Sequence, residues 1–213
     1  MNDKSRRRLL RGERHAKETV GRELDLTFYP LTADRWGDFE ALVGPSGACA
    51  GCWCMWWRLT SREFREGAGL INRERFQACV QEQTPPGILA YRKETVVGWC
   101  AIAPRETYRR LASSRILRPI DRTSVWSITC LYIGKNNRRQ GLTEQLIEAA
   151  CVFAGGFGAS VIEAYPRVSP DKPLSPLSLY TGTERSFARA GFQVAAKPTL
   201  VRRIMRKQVR ILV

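Results

Sequence analysis

One stretch narrows the possible folds more than any other. Residues 124–133 (SVWSITCLYI) carry the β-branched and aromatic residues of a well-buried strand. They run into the polar turn Gly134-Lys135-Asn136-Asn137 and then into residues 140–154, where Leu142, Leu146, Ala149, Ala150 and Phe153 recur at a helical interval. A strand that ends in a basic, Gly-containing turn and continues as a helix presents several backbone N–H groups at one point. The first helical turn leaves those donors unpaired, and the peptide dipoles add partial positive charge there. Such a place binds phosphate without any special side chain. Gly141 lets the backbone approach closely, and Arg138 and Arg139 add charge-assisted bonds. The unit therefore predicts anion binding, with a pyrophosphate as the best-fitting ligand.

The remaining chain supplies a sheet around this unit. Residues 24–29 alternate Leu24, Leu26 and Phe28 with polar residues and read as a first strand. Thr32 is placed to cap a short helix with Trp36, Phe39, Leu42 and Val43 on one side. A Gly- and Cys-rich loop (44–54) and short helices near 61–66 and 72–82 follow. Residues 87–91 and 96–103 form a strand pair joined by a polar stretch, an antiparallel hairpin. Residues 104–119 are basic and irregular, with one helical turn around Tyr108 and Leu111. Gly155 and Gly156 are expected to stop the 140–154 helix. Residues 160–165 form another strand, a helix runs from Thr183 to Gly191, and strands lie near 192–195 and 200–205. This order predicts an α+β, or mixed α/β, layout: a central mixed, mostly antiparallel sheet of six to seven strands flanked by helices.

Length and charge bound the rest. A chain of 213 residues suits one domain with a tail, here 23–213 after a basic stretch at 1–22 that holds eight Lys or Arg against three acids. We expect a solvated tail there rather than a nucleic-acid arm. The net charge of +15 attracts nucleic acid, acidic lipid and phosphorylated cofactors alike. No apolar run spans a bilayer: 149–162 is too short and contains three glycines. With no secretory signal either, the expected location is cytoplasmic, and the seven Cys are expected to be reduced thiols.

Arg138-Arg139-Gln140-Gly141-Leu142-Thr143, preceded by Ile133, resembles the coenzyme A signature of the GNAT superfamily of N-acetyltransferases, (Arg or Gln)-x-x-Gly-x-(Gly or Ala). Thr143 departs from it at the last position. Ala190-Gly191-Phe192 is similar to the Gly-Phe that ends the next GNAT helix. Cys52-Trp53-Cys54-Met55, with Val97-Gly98-Trp99-Cys100-Ala101 and Val125-Trp126-Ser127, resembles a bacterial branch of the same family. The resemblance implies acetyl-CoA as co-substrate and a primary amine, on a small molecule or a protein, as acceptor. It further implies a fourth strand that bulges and splays from the fifth, its backbone at Leu131, Tyr132 and Ile133 pairing with the pantetheine arm. The amine then attacks the thioester directly, in a ternary complex. A monomer or a homodimer is expected.

Acid and base are where the chain leaves the family pattern. The Tyr that many relatives use as acid is here Phe187, which has no proton to give. Tyr180, seven residues earlier, is the candidate acid or cofactor contact; otherwise it is an aromatic packed on the sheet. Glu163, an acid inside a predicted strand, is the candidate base, its pKa raised by half-burial, unless it sits at a wet sheet edge. Cys49, Cys52 and Cys54 look like part of a zinc site, but no second Cys pair exists and the single His is His15, so no metal is expected. The Trp residues of these runs are expected to divide between the core and an acceptor cleft. The competing class is a non-catalytic, basic RNA- or ribosome-binding module on the same fold. Coenzyme A binding and salt-sensitive RNA binding separate the two.

Overall fold

The computed structural model describes residues 26–168 and 176–211; the basic stretch 1–22 and Leu24 lie outside them. Seven strands make one sheet in the order β1-β2-β3-β4-β5-β7-β6. They are β1 (Leu26–Pro30), β2 (Gly87–Arg92), β3 (Thr95–Pro104), β4 (Trp126–Ile133), β5 (Val161–Ala164), β6 (Gln193–Thr199) and β7 (Arg202–Gln208). Every neighbouring pair is antiparallel except β4 and β5. The parallel pair requires a crossover, which α5 (Leu142–Gly156) provides.

The other helices are α1 (Trp36–Val43), α2 (Ser61–Glu66), α3 (Leu70–Val80), α4 (Arg109–Ser113) and α6 (Glu184–Arg189). Their ends follow local chemistry. Thr60 and Glu63 form a reciprocal capping box on α2. The Thr183 side chain accepts from Ser186 N at 3.1 Å and caps α6. Thr32 does not cap α1 as expected: its hydroxyl accepts from Arg35 Nη1 at 2.9 Å, and a 3-10 turn, Ala33–Arg35, leads into the helix. The double glycine does not stop α5 either. Ala154 and Gly155 are buried, so packing outweighs the roughly 1 kcal/mol that a helical glycine costs, and the helix runs through both glycines to Gly156, with Phe157 as its C-cap.

Two apolar layers sandwich the sheet. On one face Leu146, Ile147, Ala150 and Ala154 of α5, with Phe187 of α6, cover Ile102, Ile128 and Ile162. On the other, Phe39 of α1, Phe76 of α3, Trp53 and Met55 cover Leu89 and Trp99. Trp99 is fully buried and meets Phe39 and Phe76 edge-on, at centroid separations of 5.1 and 5.9 Å. Such aromatic pairs add directional preference to simple burial. A third cluster joins Trp57, Tyr108, Leu111, Tyr165 and Ile204 at the end of the sheet where β4 starts.

Two irregularities shape the site. The register of β3 against β4 slips between Ala101↔Cys130 and Ile102↔Ile128, which leaves Thr129 as an extra residue, a β-bulge. β4 also pairs with β5 over only three rungs, ending at Ile128↔Ala164, although β4 continues to Ile133. Beyond β5 the chain turns toward β7, with Arg167 bridging to Arg202. The two parallel strands therefore part in the middle of the sheet.

Candidate active site

The turn after β4 is held by its own polar groups. Gly134 N bonds to Val97 O at 3.0 Å, closing the strand end, and Lys135–Asn137 form a 3-10 turn. Arg138 Nε donates back to Ile133 O at 3.0 Å. Arg92, at the end of β2, donates to Asn137 Oδ1 at 3.1 Å and to Gln140 Oε1 at 2.8 Å. Arg92 thus fixes a loop 45 residues away and ends β2 rather than lying in the polar connection expected there, a role that no local sequence pattern marks.

The chain enters α5 through two left-handed residues, Arg139 at φ 63° and Gly141 at φ 75°. Gly141 is the N-cap residue and no side chain caps the helix. A Cβ built on Gly141 meets nothing within 4 Å. Arg138, Arg139, Gln140 and Gly141 are all exposed. The helix start is therefore open, with main-chain donors and two guanidinium groups around it, and this fits a diphosphate. A cavity of about 310 Å³ begins there, lined by Ile133, Asn137, Arg138, Gly141, Thr143 and Ser186 among others, with Arg189 and Glu144 (3.5 Å apart) at its rim. Thr143 is half-buried and on the wall, so the departure from the signature leaves the cavity open.

From this end β4 leads to the place where it leaves β5. Leu131 is buried, while Tyr132 and Ile133 are half-buried. Beside them lies the 3-10 segment Pro176–Thr181, which packs along β4 and carries Tyr180. Leu131 and Phe187 enclose Gly182 so tightly that a Cβ there would come within 2.6 Å of the Phe187 ring.

A family model described as the acetyltransferase (GNAT) family matches residues 53–174, more than half of the chain. The chain belongs to that family. Among solved structures it is similar to a GNAT-family acetyltransferase from Listeria monocytogenes, at 12% identity and a TM-score of 0.55, over 91% of this chain and 100% of that one. It is also similar to a GNAT-family acetyltransferase from Streptococcus pneumoniae, at 13% identity and a TM-score of 0.50, over 86% and 99%. Both likenesses concern the fold. No curated protein matches the sequence.

The GNAT chain departs from the family's usual acid at Phe187, and the structure places that ring in the core. Phe187 is 0% exposed, 5.0 Å from the Phe192 ring. Tyr180 is half-buried in the third apolar cluster, its hydroxyl within electrostatic reach of Arg202, Cys130, Cys52 and Arg167. Burial, partly offset by Arg202, pushes it up to about 12.

Glu163 occupies different surroundings from those expected. The half-burial anticipated for a base is replaced by complete burial, with both carboxylate oxygens engaged. Oε1 accepts from Arg105 Nη1 at 2.8 Å and from Tyr165 OH at 2.7 Å; Oε2 accepts from Arg206 Nε at 2.8 Å. Tyr165 OH also meets Ser127 Oγ at 2.8 Å, and Ser127 faces Glu163 across the β4–β5 pairing. Glu163 thus sits at the centre of a buried network that ties together the last rungs before the strands part.

The Trp-rich runs divide between buried and exposed positions. Trp53, Trp57 and Trp99 are buried, Trp126 is half-buried against Phe153, and Trp56 is exposed, with the Arg110 guanidinium stacked 3.7 Å from its ring centroid. All seven Cys are free. Among the described residues no group of three or more His, Cys, Asp or Glu is placed to hold a metal ion, and no helix is long and apolar enough to cross a membrane.

Proposed function

We propose that this GNAT acetyltransferase moves an acetyl group from acetyl-CoA to a primary amine by direct attack in a ternary complex, with residues 23–213 as its catalytic domain and the cytoplasm as its location. Acetyl-CoA supplies an activated thioester when bound. The observation that carries the reading is the uncapped, left-handed entry to α5 at Arg139 and Gly141, open to solvent and joined by the unpaired end of β4, residues 129–133, to the point where β4 and β5 separate.

In this reading the main chain at 140–143, with Arg138 and Arg139, holds the pyrophosphate. The β4 edge at Leu131, Tyr132 and Ile133, unpaired with β5, positions the pantetheine arm. Tyr180 gives its proton to the departing sulfur, and its raised pKa keeps that proton in place at neutral pH. Glu163 acts through structure, holding the strand junction with Arg105 and Arg206. The ammonium releases its proton to bulk water on entering the cleft, because the arginines around Tyr180 disfavour a further positive charge, and the proton that the nitrogen sheds as the amide forms restores Tyr180.

Titration calorimetry with coenzyme A tests the reading: micromolar binding that disappears in a Gly141 variant is the expected result. Absence of binding, accompanied by salt-sensitive RNA binding, refutes it.

A further inference from the structure

Arg58 follows the Cys-Trp-Cys-Met-Trp-Trp run and is 8% exposed. Its guanidinium lies 5.2 Å from the Tyr108 ring centroid. Among the described residues its side chain makes no hydrogen bond and no ion pair. The groups facing it are Cys54, Cys79 and Tyr108, and burial holds all three in their neutral forms. Glu82 is exposed and lies within electrostatic reach of Cys79 without pairing with Arg58. A guanidinium offers five donors in a planar fork, and one buried without a counter-ion is costly. Proteins keep such a group where a ligand completes it.

Arg110, half-buried and stacked on the Trp56 ring, holds an open donor nearby. Its Nε and Nη1 are bonded to Trp56 O and Ser61 Oγ, but its Nη2 is buried without a partner. Arg110 and Arg202 both lie within electrostatic reach of Tyr180, and among the described residues neither forms an ion pair. Glu163 already has two guanidinium partners, Arg105 and Arg206, and Glu63 pairs with Arg109. None of Arg58, Arg110 or Arg202 lines the cavity at Gly141, so the coenzyme's pyrophosphate does not account for them. Arg58 instead lies toward the bulge in β4: it stacks on Tyr108 and is within electrostatic reach of Cys54, which neighbours Cys130 of that strand.

We propose that Arg58 and Arg110 form an anion-recognition point in the acceptor cleft, so that the acceptor is an amine bearing a carboxylate or phosphate rather than a neutral amine or polyamine. This rests on the acetyltransferase reading above and narrows it. Arginine forks bind either anion through two parallel hydrogen bonds, and matched amines separate the two sources.

The test follows acetyl transfer by mass spectrometry for matched pairs: phenylalanine and phenethylamine, glutamate and 4-aminobutanamide, phosphoethanolamine and ethanolamine. In the native enzyme the acidic member of at least one pair is expected to lead in kcat/KM by tenfold or more. Its pair identifies the anion as carboxylate or phosphate. In Arg58→Met, which keeps the stacking stem over Tyr108, that ratio falls toward one. The same variant is expected to raise Tm by a few degrees, since it removes an unpaired buried charge; a merely structural arginine would lower it. Native enzyme that prefers neutral or cationic amines, or that binds coenzyme A yet acetylates no acidic member, overturns the inference alone. So does a variant that keeps the preference. Failure of coenzyme A to bind takes the acetyltransferase reading down with it.

Discussion

Arg139 and Gly141, two residues apart, both adopt left-handed backbone conformations, and between them the chain turns from the end of β4 into α5. A side chain at Gly141 strains this turn by roughly 1–2 kcal/mol, well within the ordinary 5–15 kcal/mol of a folded domain. Gly141→Glu should therefore stay folded, with Tm lower by a few degrees, while its carboxylate projects into the space where the diphosphate would lie. We expect at least a 100-fold loss of coenzyme A affinity by calorimetry. Native affinity in this variant would mean that the phosphates bind elsewhere.

Tyr180→Phe tests the acid. Removing a general acid typically costs about 10²-fold or more in rate, so kcat should drop by that factor with little change in coenzyme A binding. Because burial raises the Tyr180 pKa to about 12, the proton is present throughout the neutral range. The sign is that of a raised group: the neutral form is favoured below the ordinary value near 10 and is lost only as pH climbs toward 12. The native pH–rate profile should accordingly show no loss of this acid below about pH 10. A fall in rate as pH rises through neutrality that Tyr180→Phe leaves in place would assign the proton to another group.

Glu163→Gln separates structural from chemical duty. It leaves Arg105 and Arg206 facing a neutral amide, with Glu163 at 1% side-chain exposure and its partners at 12% and 16%. Breaking a buried pair of this kind costs about 3–5 kcal/mol, which is about 10 °C in Tm for a chain of this size. Residual activity below the new Tm should keep the native pH dependence. A variant of native stability whose pH profile loses its basic requirement would restore Glu163 as the base.

The strand–turn–helix unit was legible because three local signals agree in one short segment: β-branched density before Gly134, a polar turn, and a helical repeat after Gly141. The hairpin and the capping box at Thr60 and Glu63 are local in the same sense. What escaped the sequence reading depends on distance along the chain. Arg92 bonds to residues 45 and 48 positions away, and Glu163 is enclosed by arginines 58 and 43 positions away. A lone Glu in a strand carries no mark that tells an exposed edge from a buried network. The unpaired state of Arg58 is likewise invisible, since it is defined by which residues fail to meet it.

The Cys-Trp segment gives the last prediction. Cys49 is exposed, whereas burial pushes the Cys52 thiol up to about 12, and the neighbouring Cys130 together with burial pushes Cys54 well above the ordinary thiol range. Alkylation requires the thiolate, and a thiol near 12 holds only about one part in 10⁴ of it at pH 8. Brief iodoacetamide treatment of the native protein, read by peptide mass spectrometry, should label Cys49 and spare Cys52, Cys54, Cys100 and Cys151. In urea all seven should react at similar rates, since unfolding removes the burial that raised them. Equal labelling of Cys49, Cys52 and Cys54 in the native state would mean that this loop is open and its thiols are available. In that case the segment would have to be reconsidered as a reactive element rather than as the packed wall that seats Arg58.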